Sequence, residues 1–179
     1  NTHCWNLLRE KGVEVRTVPQ REGRVDVADI IAAIDPKTRA VAVASTTNMG
    51  FRFDLERIGK ACHEESALLI VDAVQSLGIE PFDARKAGVD VFSTSAHKGL
   101  LGPHGIGFLS CNEEALGQIN PPYVAGISYE KDPGTGEAML KRTAARFEYG
   151  NYNYIAGHAM MTALGILEKV GVGNIYHHC

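Results

Sequence analysis

Three short segments carry side chains able to do chemistry together. Asp72-Ala73-Val74-Gln75 sets a carboxylate and an amide three residues apart. Ser95-Ala96-His97-Lys98 places a hydroxyl, an imidazole and a primary amine within one turn's length, and Ser45-Thr46-Thr47-Asn48 adds hydroxyls and a second amide. Each follows directly on an apolar run: AVAVA at 40–44, ALLIV at 67–71 and the run at 91–94. In open parallel sheets, ligands bind just beyond the carboxyl ends of the strands. Buried polar groups cost free energy unless they are paired, so several of them converging on one sheet edge is a poor arrangement for structure alone. The set suits an anionic, hydrogen-bond-rich ligand. Singly, each residue has a plainer reading: Asp72 as a helix cap, Gln75 as a surface residue, Asn48 as a turn residue before Gly50, Lys98 as a solvated side chain.

The elements that would position these segments alternate along the chain. Trp5, Leu7 and Leu8 ahead of Lys11-Gly12 read as the last turns of a helix stopped by glycine, and residues 13–18 alternate as a strand does. Asp26 opens a helix carrying Val27, Ile30, Ile31 and Ile34 and closed by Asp35-Pro36. The run at 40–44 is apolar on both faces and predicts a buried strand in a sheet covered on two sides. A helix over 54–65, with Leu55, Ile58, Ala61 and Cys62 at helical spacing, leads into the strand at 67–71. Strands are expected at 90–95 and 106–110, a short helix at 113–118, and a long amphipathic helix at 154–170 bearing Ile155, Met161, Leu164 and Leu167. Residues 120–143, rich in Pro, Gly and charge, are too long for a bare connection and read as an active-site or interface loop. Helices alternating with apolar strands predict an α/β fold with a mainly parallel sheet.

The whole-chain arithmetic narrows the function classes. The chain has 179 residues, 45% hydrophobic and 22% charged, the size and composition of one folded, soluble domain. Lys plus Arg number 18 against 21 Asp plus Glu, for a net charge of −3, so no broad basic surface exists to bind nucleic acid. The longest apolar runs are five residues, whereas a spanning helix needs roughly 20, which argues against a membrane span. Cys4, Cys62, Cys111 and Cys179 have neither disulfide-framework nor zinc-ribbon spacing, so a cytoplasmic protein with reduced thiols and no metal is expected. His177-His178-Cys179 has metal-binding residue types but no second spaced pair, and reads as a solvated helix end. Nineteen glycines point to tight turns and close backbone approaches. Gly102, Gly105 and Gly107 lack the order of a dinucleotide loop and precede a strand rather than a helix, so they shape the turn beside Lys98. The first residues, NTHCWNLLREKG, do not resemble a signal peptide, and both ends read as the middle of a longer protein.

The run VDAVQSLGIEPFDARKAGVDVFSTSAHKGLLGPHGIGFL resembles the signature region of class V, fold-type I pyridoxal-phosphate enzymes. That group holds cysteine desulfurases, selenocysteine lyases, kynureninases and isopenicillin-N-epimerase-like proteins. The likeness lies in D-x-x-Q followed by S-x-H-K-x-x-x-G-P-x-G-x-G, and it extends through STTNMG upstream and RFEYGNYNYIAGHAM downstream. It implies a three-layer α/β/α arrangement in which residues 1–179 form part of the pyridoxal 5'-phosphate (PLP)-binding large domain. It also implies roles residue by residue. Lys98 matches the lysine that forms the aldimine, where an amine in a partly desolvated site acts as nucleophile and proton carrier. Asp72 matches the carboxylate that keeps the pyridine nitrogen protonated, and Gln75 the donor to the ring's phenolic oxygen. Asn48 matches a polar contact near that oxygen or the substrate, and Ser95 and His97 match phosphate ligands, with strand alternation letting both point the same way. Gly150-Asn151 falls where these enzymes present Gly-Thr to the phosphate of the partner subunit's cofactor, implying a homodimer with shared sites.

Asn151 departs from the usual Thr, exchanging a hydroxyl for an amide that still donates a hydrogen bond. The group that stacks on the pyridine ring, the upstream glycine-threonine turn and the C-terminal small domain, with its substrate-binding arginine and catalytic cysteine loop, have no counterpart in these 179 residues. Alone, the chain is expected to bind the cofactor weakly and to turn over nothing. The expected function is a PLP-dependent transferase or lyase acting on a small amino acid, of the aminotransferase class V or cysteine-desulfurase-like kind. Epimerase- or kynureninase-like chemistry, and a non-catalytic domain that retains the fold, are the alternatives.

Overall fold

A computed structural model of the chain describes residues 2–179. Helix α1 (Thr2–Asn6) runs into a 3-10 turn (Leu7–Lys11) that Gly12 ends in the left-handed region, its N–H bonded to Arg9 O and Leu8 O. Residues 13–18, expected as a strand, form no strand pairing among the described residues. Arg16 of this segment instead turns its guanidinium to Ala33 O, Asp35 and Thr38, while Val18 packs on the core. Alternation alone does not make a strand, because strand formation depends on pairing and packing against neighbours.

Helix α2 (Val27–Ala32) starts at Asp26, whose carboxylate accepts from Ala28 N–H at 2.8 Å. Strand β1 (Ala40–Ala44) follows, then helix α3 (Leu55–Glu64), capped by Asp54 through Arg57 N–H at 3.1 Å. Strands β2 (Leu68–Asp72), β3 (Val91–Ser95) and β4 (Gly107–Cys111) complete a sheet of order β1-β2-β3-β4. The first three strands are parallel, and β4 returns antiparallel to β3, giving a mixed, mainly parallel sheet with flanking helices. Ile30 of α2 and Leu55, Ile58 and Cys62 of α3 form one buried cluster with Leu69 and Val71 of β2. β1 was expected to be buried on both faces. It is the sheet's edge strand, and Ala40 and Ala42 are exposed while Val41 and Val43 pack against the core.

Asp90, just before β3, is buried at the end of the sheet opposite its carboxyl edge. Its carboxylate accepts from Leu69 N–H and Asn112 Nδ2–H, both at 2.7 Å, and lies 3.1 Å from His63 Nε2. Asn112 in turn caps α4 (Glu113–Gln118). The segment read as a loop at 120–143 contains a hairpin, β5 (Tyr129–Lys131) and β6 (Ala138–Leu140). Fully buried Ser128 anchors it, donating to Glu148 O at 2.6 Å and accepting from Ala125 N–H.

Helix α5 spans Tyr154–Val170 and bends at Gly171 into α6 (Val172–His178). Its buried positions are Ala156, Ala163 and Leu167; Ile155 and Met161, expected on the inner face, are 86% and 70% exposed. The helix is apolar on more than one side, so periodicity did not select the stripe that packs. No single helix among the described residues is long and apolar enough to cross a membrane.

Candidate active site at the carboxyl edge of the parallel strands

Backbone pairing brings the three chemistry-bearing segments to one edge of the sheet. Asp72 lies level with Ala44 on one side and Ser93 on the other, and Ser95 sits two residues further along β3. Beyond Asp72 the chain turns at once. Ala73 N–H donates to Ser93 O, and Ser76 and Leu77 N–H both donate back to Ala73 O. Asp72 Oδ1 accepts from Val74 N–H at 3.0 Å, closing an Asx turn that orients the carboxylate and leaves its other oxygen without a protein partner among the described residues.

A pair of buried serines locks this turn to β1. Ser45 donates its N–H to Asp72 O at 2.9 Å, its Oγ lies 2.5 Å from Ser76 Oγ, and Ser76 Oγ–H donates to Ala73 O at 3.2 Å. Both serines are almost fully buried, so the polar side chains leading into the site are satisfied within the fold. Ser76 escaped notice in the sequence; its one signal was a hydroxyl inside an otherwise apolar turn directly after Gln75.

The third segment departs from expectation in one respect. β3 ends at Ser95, so His97 does not share strand alternation with it. Ala96 is fully buried, its N–H donating to Ile106 O, and the chain then turns through Lys98, with Leu101 N–H donating to Lys98 O and Gly102 N–H to Ala96 O. His97 and Lys98 are thereby carried out of the sheet plane and are exposed, so the partial desolvation expected around Lys98 is not provided within this chain. The His97 ring stacks on His104, with centroids 4.3 Å apart and planes 20° apart. His104 was passed over in the sequence, although it sits inside the Gly-Pro turn of the motif.

Glycine backbone makes this packing possible. A Cβ on Gly78 would lie 2.2 Å from Gly99 O, so the turns after β2 and β3 meet backbone to backbone, and one on Gly107 would lie 2.2 Å from Thr94 O, so β4 packs as closely on β3. Gln75 and Ser95 are half-buried, Asn48 and Lys98 exposed, and none of these side chains has a bonding partner among the described residues. Gly150 and Asn151 lie exposed ahead of α5, and no hydrogen bond or ring contact joins them to the strand-end cluster. A cavity of about 560 Å³ opens between the turn at Lys98 and helices α5 and α6, lined by Ile79, Leu101, Ile166, Val170 and Ile175. Apart from Lys98 its wall is apolar, and Asp72, Gln75, Ser95 and His97 do not line it.

Known proteins share the sequence pattern and the fold. The family model described as aminotransferase class-V matches residues 1–179. A probable cysteine desulfurase of Methanothermobacter thermautotrophicus is 35% identical over 176 residues, covering 97% of this chain and 44% of that protein. The apo structure of cysteine desulfurase from Thermococcus onnurineus NA1 superposes with a TM-score of 0.83 at 30% identity, over 96% of this chain and 43% of that one. A mutant of the enzyme C-DES, with glycine covalently linked to its PLP cofactor, gives a TM-score of 0.75 at 28% identity, over 84% of this chain and 40% of that one. The chain thus spans under half the length of the relatives it matches.

Proposed function

The chain belongs to the aminotransferase class-V family, and on that premise we propose that it supplies the cofactor-binding edge of a PLP-dependent enzyme acting on a small amino acid, in the manner of a cysteine desulfurase. The observation that carries this reading is the donor set itself. The Asp90 carboxylate and the Ser45, Ser76 and Ser128 hydroxyls are bonded within the fold, whereas Asp72 Oδ2 and the side chains of Gln75, Ser95, Lys98 and Asn48, which lie at or just beyond the carboxyl ends of the parallel strands, have no protein partner among the described residues. In kind they fit pyridoxal phosphate: a carboxylate for a protonated ring nitrogen, an amide for a phenolic oxygen, a hydroxyl and an imidazole for a phosphate, and an amine for an aldehyde.

When bound, that group withdraws electrons from the bonds at the α-carbon of an attached amino acid. The residues of the chain do the rest. Asp72 would hold the proton on the ring nitrogen, and the Asx turn through Val74 restrains its carboxylate. Gln75 orients the ring through its phenolic oxygen, and Asn48 adds a contact on that side or to the substrate. Ser95 and His97 donate to the phosphate, with His104 stacked behind His97. Lys98 Nζ would anchor the cofactor covalently and would carry the proton at the α-carbon. Gly150 and Asn151 reach the phosphate of a second copy, so a homodimer completes both sites; the enzyme works in the cytoplasm with cysteine as its leading substrate.

The test uses the full-length protein mixed with pyridoxal phosphate. A visible absorption band should appear, and borohydride should fix a mass adduct on the Lys98 peptide; in Lys98→Ala both should vanish. Persistence of the adduct in that variant would overturn the assignment. Incubation with cysteine then separates reaction types: alanine as product marks desulfuration, and pyruvate marks C–S lysis.

A further inference from the structure

Residues 46–52 form a reversal with Asn48 at its tip. Thr47 N–H donates to Phe51 O at 2.8 Å, Gly50 N–H to Thr47 O at 3.0 Å and Phe51 N–H to Thr47 Oγ1 at 3.1 Å, and Thr46 pairs with Arg52 as an isolated antiparallel bridge. Asn48, Met49 and Gly50 are exposed, so little packing holds the tip.

Glu80 grips the base of this reversal. One carboxylate oxygen accepts from Thr46 Oγ1–H, and the other forms an ion pair with Arg52, 2.7 Å from its Nε. The Glu80 side chain is only 14% exposed. Arg52 is held from its far side too, donating Nη1–H to Tyr176 Oη at 2.5 Å with its guanidinium 4.6 Å from that ring's centre. Glu80 itself hangs from the turn after β2, its N–H donating to Ser76 O at 2.9 Å. A single carboxylate therefore ties the Asn48 reversal to the segment that holds Asp72 and Gln75. Bonds of this charge-assisted kind, made by a largely buried acceptor, hold geometry better than neutral ones.

We propose that Glu80, acting with Arg52, is a positioning residue that fixes the Asn48 reversal relative to the Asp72–Gln75 turn and so aligns two of the site's three segments. The inference rests on the assignment of this sheet edge to pyridoxal phosphate, and the test separates the two.

In the full-length protein, Glu80→Ala should speed amide exchange at Thr47, Gly50 and Phe51 by at least about tenfold and raise the Kd for pyridoxal phosphate by about tenfold. It should also shift the visible band of the bound cofactor, while borohydride still fixes the cofactor on Lys98 at saturating concentration. Glu80→Gln, which keeps an acceptor for Thr46 and removes the charge facing Arg52, should fall between; if the alanine variant does not fold, this variant decides by the same readouts. Wild-type exchange over 47–51 would overturn the clamp. Faster exchange with unchanged Kd and spectrum would reduce Glu80 to a structural residue and overturn its role in the site. Absence of any Lys98 adduct in the unsubstituted protein would instead overturn the functional reading, and this inference with it.

Discussion

Cys62 lies fully buried in the same cluster as Leu69 and Val71, and its thiol is pushed up to about 11, first by burial and second by the negative charge of Asp90. A raised thiol pKa means that folding favours the neutral form. The associated stability is whole below the ordinary value of 9.0 and drains away as pH rises through about 11. At pH 8 iodoacetamide should leave Cys62 unmodified in the native protein and alkylate it in urea; modification at the same rate in both would contradict its burial. The same residue-by-residue logic governs the site. The strand-end positions of Asp72, Gln75, Ser95 and Lys98 were legible because they follow apolar strands, whereas the contacts of His104 with His97 and of Glu80 with Thr46 and Arg52 were not, since each reaches a residue distant in sequence or across a turn.

Among the elements, strand ends and caps followed from local chemistry: Asp26, Asp54 and Asn112 each cap a helix with their own side chain. What local chemistry left open was which elements touch. The turns after β2 and β3 meet at Gly78, which has φ 87° and no room for a Cβ beside Gly99 O. Gly78→Ala should therefore lower unfolding free energy by about 3 kcal/mol, combining left-handed strain with overpacking. Urea unfolding measures this, and a loss under about 1 kcal/mol would show that the two turns separate freely. β1 reads in sequence like any buried parallel strand; its place at the sheet edge is a property of strand order, which five apolar residues do not encode.

At the scale of the molecule, α5 presents Ile155, Met161, Ile166 and Val170 outward while burying Ala156, Ala163 and Leu167. A helix apolar on several sides is ordinarily covered by something larger, and Ile166 and Val170 already line the cavity beside the Lys98 turn. In the proposed homodimer Asn151 would face the phosphate of the second copy's cofactor. Asn151→Asp would set a carboxylate against the phosphate and should raise the Kd for pyridoxal phosphate at least about tenfold in the full-length protein, with the subunit mass by light scattering unchanged. Unchanged affinity would remove Asn151 from the site.

The amino-acid sequence by itself determined the α/β class, the strand-end positions of Asp72, Gln75, Ser95 and Lys98, and the helix starts, because these depend on neighbours within a few residues. Tertiary structure alone decided that residues 13–18 pair with no strand, that β1 is an edge, that α5 packs through alanines and that His97 leaves the strand to stack on His104. It also decided that Glu80 bridges two turns. Each of these depends on which surfaces meet, and burial and pairing energies are set between segments far apart in the chain rather than within any one of them.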